Sequence, residues 1–350
     1  MKYRICFHII IALLLLSNFS FLNGQDSVAV KVLHNSSYVK DYSDLLCVKL
    51  FGINKSNNIT HFDHRTQQSV TYKPNENFNV GLGFVHKWLG FDLAFNLPFI
   101  NDDDDIYGES KRLDLQVNAY LRQFVIDFHY QRYQGFYAVK PWLFDSRYNL
   151  GDLVFPIRPD IRTFNTAVNI VKVFNPDKFS YKAAFIYNQR QLKSAGSWLA
   201  GGYLAYFTMD ADSTIVPDSD LFDFDASIDF RGAKYVNTGL SGGYGHTFVV
   251  GEKFFFSLSI VVGMGPTFIT TPENSMTEDF VEFAIRGTFR TAIGWNSKEN
   301  YFGISAVSTN SSQVDIENSW LSRGVNNVKV FYGRRFNTSG FLKKVKDKPF

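Results

Sequence analysis

The stretch NFNVGLGFVHKWLGFDLAFNLPF, residues 77–99, decides how the rest of the chain is read. Phe78, Val80, Leu82 and Phe84 alternate with polar or small residues, and after a break at His86-Lys87 the alternation resumes with Leu89, Phe91, Leu93, Phe95 and Leu97. Strand side chains have period two, so this is a hairpin with one apolar face. With His86 and Lys87 as the turn, Phe84 meets Leu89, Leu82 meets Phe91, Val80 meets Leu93 and Phe78 meets Phe95. The reverse face carries Asn79, Gly81, Gly83, Gly90, Asp92, Ala94 and Asn96. A soluble β-sandwich turns its polar face to bulk water, where Lys and Glu are common and Gly in a strand is costly. A face of small, amidic and glycine residues with isolated charges suits instead the lumen of a barrel, with the phenylalanines turned to lipid.

A second hairpin behaves alike. With Arg122-Gln123 as the turn, Ala119 pairs with Ile126, Val117 with Phe128 and Leu115 with Tyr130 on the apolar face. Asn118 then faces Asp127, Gln116 faces His129 and Asp114 faces Gln131 on the other, and a slip of one residue would invert every side chain. Strands of similar character are expected at 45–53, 76–85, 88–97, 111–121, 124–137, 163–174, 179–191, 198–209, 236–246, 253–269, 280–295, 300–310 and 325–336. Trp88, Tyr130 and Trp295 stand at strand ends, where outer-membrane barrels carry aromatic girdles. Connections at 86–87, 122–123, 175–178 and 296–299 are short, whereas those at 98–110, 138–162, 270–279 and 311–324 are long, as with periplasmic turns opposite external loops. The expected fold is all-β: a closed antiparallel transmembrane β-barrel of about 12–14 strands, the segment FDFDASIDF at 222–230 deciding between the two.

Composition agrees. The 350 residues include 36 Phe and 18 Tyr, yet no further apolar run long enough for a membrane helix follows the N-terminus. Lys2 and Arg4 precede an apolar run from Ile5 to Leu16, which reads as a signal peptide over 1–24. Residues 25–44 are then an N-terminal periplasmic segment, 45–336 the barrel and 337–350 a basic tail with Lys343, Lys344, Lys346 and Lys348. Loss of the leader takes the formal charge from +3 to about +1, which gives no basic footprint for nucleic acid. It leaves Cys47 as the one thiol, so the exported chain has no internal disulfide.

The segments RQLKSAGSWLAGG (190–202), VFNPDKFSYKAAF (173–185) and YKPNENFNVGLGFVHKWLGFDLAF (72–95) resemble a family of Bacteroidetes-type outer-membrane proteins known only as a domain of unknown function. The resemblance runs from about residue 40 to 336 and implies an outer-membrane barrel with lipid around it, reached through the Sec translocon and the barrel assembly machinery. It supplies no activity and no site residues.

Candidate chemistry rests on inward charges. Asp92, Asp114 and Asp127 come from early strands, whereas Lys182, Arg190, Arg286, Arg290, Lys329 and Arg335 come from later ones. Opposed walls of unlike charge would set a field across a wet lumen and tune ion selectivity in a narrow pore; alternatively neighbours such as Glu282 and Arg286 pair and keep the barrel rigid. Asp127 and His129 share one face, which raises a lipid- or peptide-hydrolysing barrel enzyme with His129 as general base, though no serine is fixed beside them. Asp102-Asp103-Asp104-Asp105, in an expected external loop, could gather divalent cations but is equally an acidic, solvated tip. The sequons at Asn35, Asn58, Asn310 and Asn337 are incidental to an outer-membrane barrel. No cofactor, metal centre or catalytic residue is expected, and the remaining alternative is a secreted soluble β-protein.

Overall fold

Period-two alternation becomes a sheet that closes on itself. The computed structural model describes residues 35–76, 78–87, 89–97, 101–139, 155–216, 230–270, 280–316 and 319–337. The strands are β1 (Val39–Asp41), β2 (Leu46–Asp63), β3 (Gln68–Lys73), β4 (Phe78–His86), β5 (Leu89–Asn96), β6 (Lys111–Tyr120), β7 (Phe124–Ala138), β8 (Ile157–Val173), β9 (Gln189–Gln191), β10 (Ala195–Asp210), β11 (Gly232–Val250), β12 (Phe254–Thr270), β13 (Phe280–Asn296), β14 (Asn300–Ile316) and β15 (Ser319–Phe336). Among the described residues the two short helices are α1 (Asp104–Tyr107) and α2 (Tyr181–Phe185).

The wall is antiparallel throughout. It closes where β15 pairs with β2, from Ser319 opposite Asp63 to Phe336 opposite Leu46. The closed circuit runs β2-β3-β7-β8-β10-β11-β12-β13-β14-β15, ten strands. Ten replace the expected 12–14 for three reasons. β3 and β4 both pair with β2, one along each half of it. β5 and β6 flank the circuit, pairing with β4 and β7 respectively, and no ladder joins them to each other among the described residues. The stretch 179–191, read from sequence as a strand, holds α2 and the short β9 inside the barrel end.

The second hairpin has the expected register, with Ala119 opposite Ile126, Val117 opposite Phe128 and Gln116 opposite His129. The opening hairpin is corrected by two residues: Phe84 lies opposite Phe91, Leu82 opposite Leu93 and Val80 opposite Phe95. The turn includes Lys87, which takes a left-handed backbone at φ 55°. A two-residue slip preserves which side chains share a face, so alternation alone could not exclude it. In the actual register Gly83 is opposite Asp92.

Other differences lie at the loop end. β2 continues to Asp63 and turns back as β3 through NKSNNITHFD, and β14 and β15 extend through the expected loop at 311–324. The expected short link at 175–178 opens an insertion that runs to Ser194 before β10 begins. Residues 222–229 of the strand expected at 222–230, the tail beyond Asn337 and the leader lie outside the described residues.

The face rule is obeyed around the wall. Leu93, Phe95, Leu115, Val117, Ile260, Val262, Ile285 and Ile293 are exposed on the outside, Phe95 by 58% and Val117 by 59%, while Asp127 and Gln131 inside are 4% and 1% exposed. Outward aromatics meet near the ends of the strands: Trp198 against Tyr244 at 5.2 Å, Trp295 against Phe302 at 5.5 Å, and at the opposite end Phe62 against Trp320 at 4.9 Å. An apolar surface that surrounds the molecule far exceeds the patches of soluble monomers. Leu93→Arg is expected to lower stability in lipid by about 2–4 kcal/mol, and Ala94→Arg on the reverse face by far less, measured by urea unfolding in bilayers.

Candidate functional site: a bridged and plugged lumen

Inside the wall three layers follow one another along the barrel. At the end of short turns, the insertion after β8 folds inward as a plug. Phe174 still bonds the wall through its backbone to Trp198, and Asn175 is held by Ser197 and Gly196. Ser180 caps α2 by accepting from the Ala183 N–H at 3.3 Å. The Ser180 hydroxyl lies 2.5 Å from Gln189 Oε1, and β9 forms a small sheet with β1.

The plug is then bolted to the wall. The Tyr187 carbonyl accepts from Arg335 Nε at 2.9 Å and from Nη2 of the same guanidinium. Arg335 also donates to Asn296 Oδ1 at 2.7 Å, and Asn296 donates to the carbonyls of Ala183 and Gln189 at 3.3 and 3.1 Å. The Tyr187 ring stacks on Tyr301 at 4.9 Å and meets Phe331 at 4.4 Å. Tyr187 is fully buried with φ at 69°, a left-handed conformation that costs a non-glycine residue about 1 kcal/mol or more and persists where its surroundings fix it. Ala184, Tyr187, Cys47, Phe51, Phe255 and Phe331 make one apolar cluster across this end.

The middle layer is polar and spans the lumen. Asp127 on β7 pairs with Arg290 on β13, strands five steps apart in either direction around a ten-strand circuit. Both side chains are buried, and Asn169 Nδ2 donates to the same carboxylate at 3.1 Å. Arg323 on β15 reaches across to Gln131 Oε1 on β7 at 2.7 Å and to Asn57 at 3.2 Å, while Asn165 donates to Gln131 at 3.0 Å. Asp114 accepts from Gln131 at 3.1 Å and Tyr133 at 2.9 Å, with Lys55 at 3.3 Å. Asp92 sits between Lys49 at 3.0 Å and Lys329 at 2.6 Å. The glycine face of the opening hairpin makes the Lys49–Asp92 contact possible: a Cβ on Gly83 would fall 2.3 Å from both Asp92 Oδ1 and Lys49 Cε.

The third layer, toward the long loops, is apolar again. Tyr72, Phe136, Ile161, Phe207 and Met209 from the wall pack around Ile215, Val216 and Phe230, which border the segment after β10. The Tyr72 hydroxyl donates to the Ile215 carbonyl at 2.6 Å.

The sequence-named residues divide among these layers. Asp127 and Arg290 pair with each other across the lumen, Asp92 pairs with Lys49 and Lys329 along the wall and Asp114 with Lys55, and His129 and Arg286 line a cavity in the middle layer. Lys182 and Arg190 are corrected from barrel wall to plug: Lys182 is in α2, where burial lowers its ammonium against the pull of Asp41, and Arg190 donates to the Glu252 carbonyl at 2.9 Å. Glu282 lies on β13 opposite Thr267. Arg286 is not held by it; its described contact is with the Tyr203 ring, 5.3 Å from the guanidinium. In the acidic loop, Asn75 Nδ2 donates to Asp103 and Asp104 at 3.0 Å each. Arg323, Gln131, Asn165, Asn169, Asn296 and Tyr187 were not singled out from sequence. Arg323 fell in an expected loop, and amides in a lumen give no signal beyond polarity.

Residues 33–336 match the model of the family described as Domain of unknown function (DUF4421). The chain belongs to this family. No curated protein matches it in sequence. Among solved structures, the outer membrane protease OmpT from Escherichia coli is similar at 8% identity and TM-score 0.37, covering 85% of this chain and 98% of that one. The transport unit of the E. coli autotransporter AIDA-I matches at 8% identity and TM-score 0.30, covering 91% and 96%. The P. putida toluene transporter TodX matches at 7% identity and TM-score 0.24, covering 87% and 94%.

Removing one member of a buried pair strands the other charge, typically at about 3–5 kcal/mol. Asp127→Asn is therefore expected to destabilise the barrel by that order in denaturant unfolding, and the double variant Asp127→Asn with Arg290→Met to recover most of the loss.

Proposed function

We propose that the chain is an outer-membrane barrel, surrounded by lipid and inserted by the barrel assembly machinery, whose resting lumen is closed by its own residues. The observation that carries this reading is the Asp127–Arg290 pair across the lumen, backed at the short-turn end by the plug that Arg335 and Asn296 hold. An open channel at rest would need a water path past both. A ten-strand wall is close to the size at which side chains fill the interior, well below the 16–18 strands of general porins. A narrow pore is the second reading, favoured by one feature: the plug is a single insertion between two wall strands, so its displacement would not break the closed ladder.

A reading without hydrolysis is supported by the same contacts. Asp127 is committed to Arg290 and Asn169, and Ser311, in the cavity with His129, donates to the Arg323 carbonyl at 3.4 Å.

Purified protein in planar bilayers is expected to show no steady conductance, and replacement of residues 179–191 by a short Gly-Ser linker is expected to produce one. Cys47 gives an independent readout, since it is fully buried with Sγ 3.8 Å from the Tyr187 carbonyl. It should resist a water-soluble thiol reagent in the wild type and react once the plug is gone. Steady wild-type conductance or rapid Cys47 labelling would refute the closed resting state.

A further inference from the structure

The middle layer has a small cavity between the wall of β7 to β11 and that of β13 to β15. Its origin is legible in one level of the wall. His129, Ala167, Ala205 and Asn237 are successive partners across β7, β8, β10 and β11, and the two alanines leave room that larger side chains fill elsewhere. On the facing wall Arg286, Ser311 and Arg323 are successive partners across β13, β14 and β15. The Cα atoms of the two arginines thus lie about 9–10 Å apart, two strand spacings, and both side chains line one cavity.

Among the described residues no carboxylate lines this cavity. The two nearby acids are engaged elsewhere, Asp127 by Arg290 and Asp114 by Lys55. Arg323 uses Nε and one Nη on neutral amides, and its other Nη donates to none of the described residues. Arg286 has no hydrogen bond or ion pair among the described residues, only the Tyr203 ring. Arg323 is buried and Arg286 half-buried between apolar layers, with no carboxylate in direct contact with either among the described residues, and charges so placed call for a counter-charge or strong hydrogen bonds. The lining supplies further potential donors beside them in the second amide hydrogens of Asn165 and Asn237 and in the His129 ring.

We infer that this cavity binds a small free oxyanion of phosphate or sulfate size, clamped between Arg286 and Arg323. Arginine forks suit such anions because their paired N–H groups match two oxygens at once. The apolar layers above and below favour a free ion over a lipid headgroup, whose acyl chains would have to pass through one of them.

Equilibrium dialysis of the full chain in a neutral detergent against radiolabelled inorganic phosphate tests this, run over days to allow slow exchange. The expected result is about one phosphate per chain, competed by sulfate. Affinity should fall by about tenfold or more in Arg286→Gln and in Arg323→Gln. Ala205→Leu, which keeps both arginines and fills the space, should also abolish binding. Heat-modifiable gel migration identifies variants that fold, and the wild-type stoichiometry decides by itself if none does. Absence of phosphate binding in the wild type would overturn the inference. Binding that persists in folded Ala205→Leu and Arg286→Gln would do so too, since it marks adsorption outside the cavity. Retention of phosphatidic acid in place of free phosphate, on dialysis against mixed micelles, would overturn the choice of a free ion.

Discussion

Closure of the sheet through β2 and β15 is the constraint on which the other features depend. An open edge in lipid would leave a row of backbone N–H and C=O groups without partners, so a strand wall in a membrane must return to its start. Eighteen register pairs, from Ser319–Asp63 to Phe336–Leu46, accomplish that return. Once the circuit is closed at ten strands, the interior is narrow enough for side chains from opposite walls to touch. Asp127 and Arg290 do so, and their pairing turns what the sequence presents as an acidic and a basic wall into a crossbar.

The same narrowness explains the layered interior. A lumen too small for bulk water must satisfy its polar groups internally, as the amides of Gln131, Asn165 and Asn169 do around the ion pairs. At the short-turn end the wall cannot fill the opening alone, and the chain supplies Tyr181 to Gln191 from within. The left-handed Tyr187 marks where the plug turns, and its carbonyl is the point that Arg335 holds. Fixed charge and packed aromatics at that end give the barrel a defined resting state.

Much of the fold was legible because the membrane imposes a strict outer row. Where that row exists, in Leu113 to Tyr130 or Phe280 to Trp295, both strands and faces follow from alternation. Where strands rise beyond it the signal disappears: the outward residues Asn54, Ser56, Asn58 and Thr60 of β2 are polar, as are the inward Lys55 and Asn57, so no apolar row marks this end and β3 was therefore missed. The plug misled for the opposite reason. KFSYKAAFIYNQR has aromatics on alternate positions, but they pack into the lumen, and nothing in the local pattern tells lumen-filling aromatics from lipid-facing ones. The candidate site was legible as a set of inward charges, and its pairing was not, because partners such as Asp127 and Arg290 lie 163 positions apart and meet only through closure.

The central claim is that one row of each strand faces lipid and the other faces a closed lumen. Single cysteines along β13, in a Cys47→Ser background, test it most directly: Ile285, Phe289 and Ile293 on the outer row and Ala284, Thr288 and Ala292 on the inner one, each exposed to a charged maleimide in intact bilayers. The account predicts that neither row reacts at the membrane level, while both react after unfolding. Labelling of the inner row in the folded protein would mean an open, water-filled lumen, and labelling of the outer row would mean a wall that faces water rather than lipid.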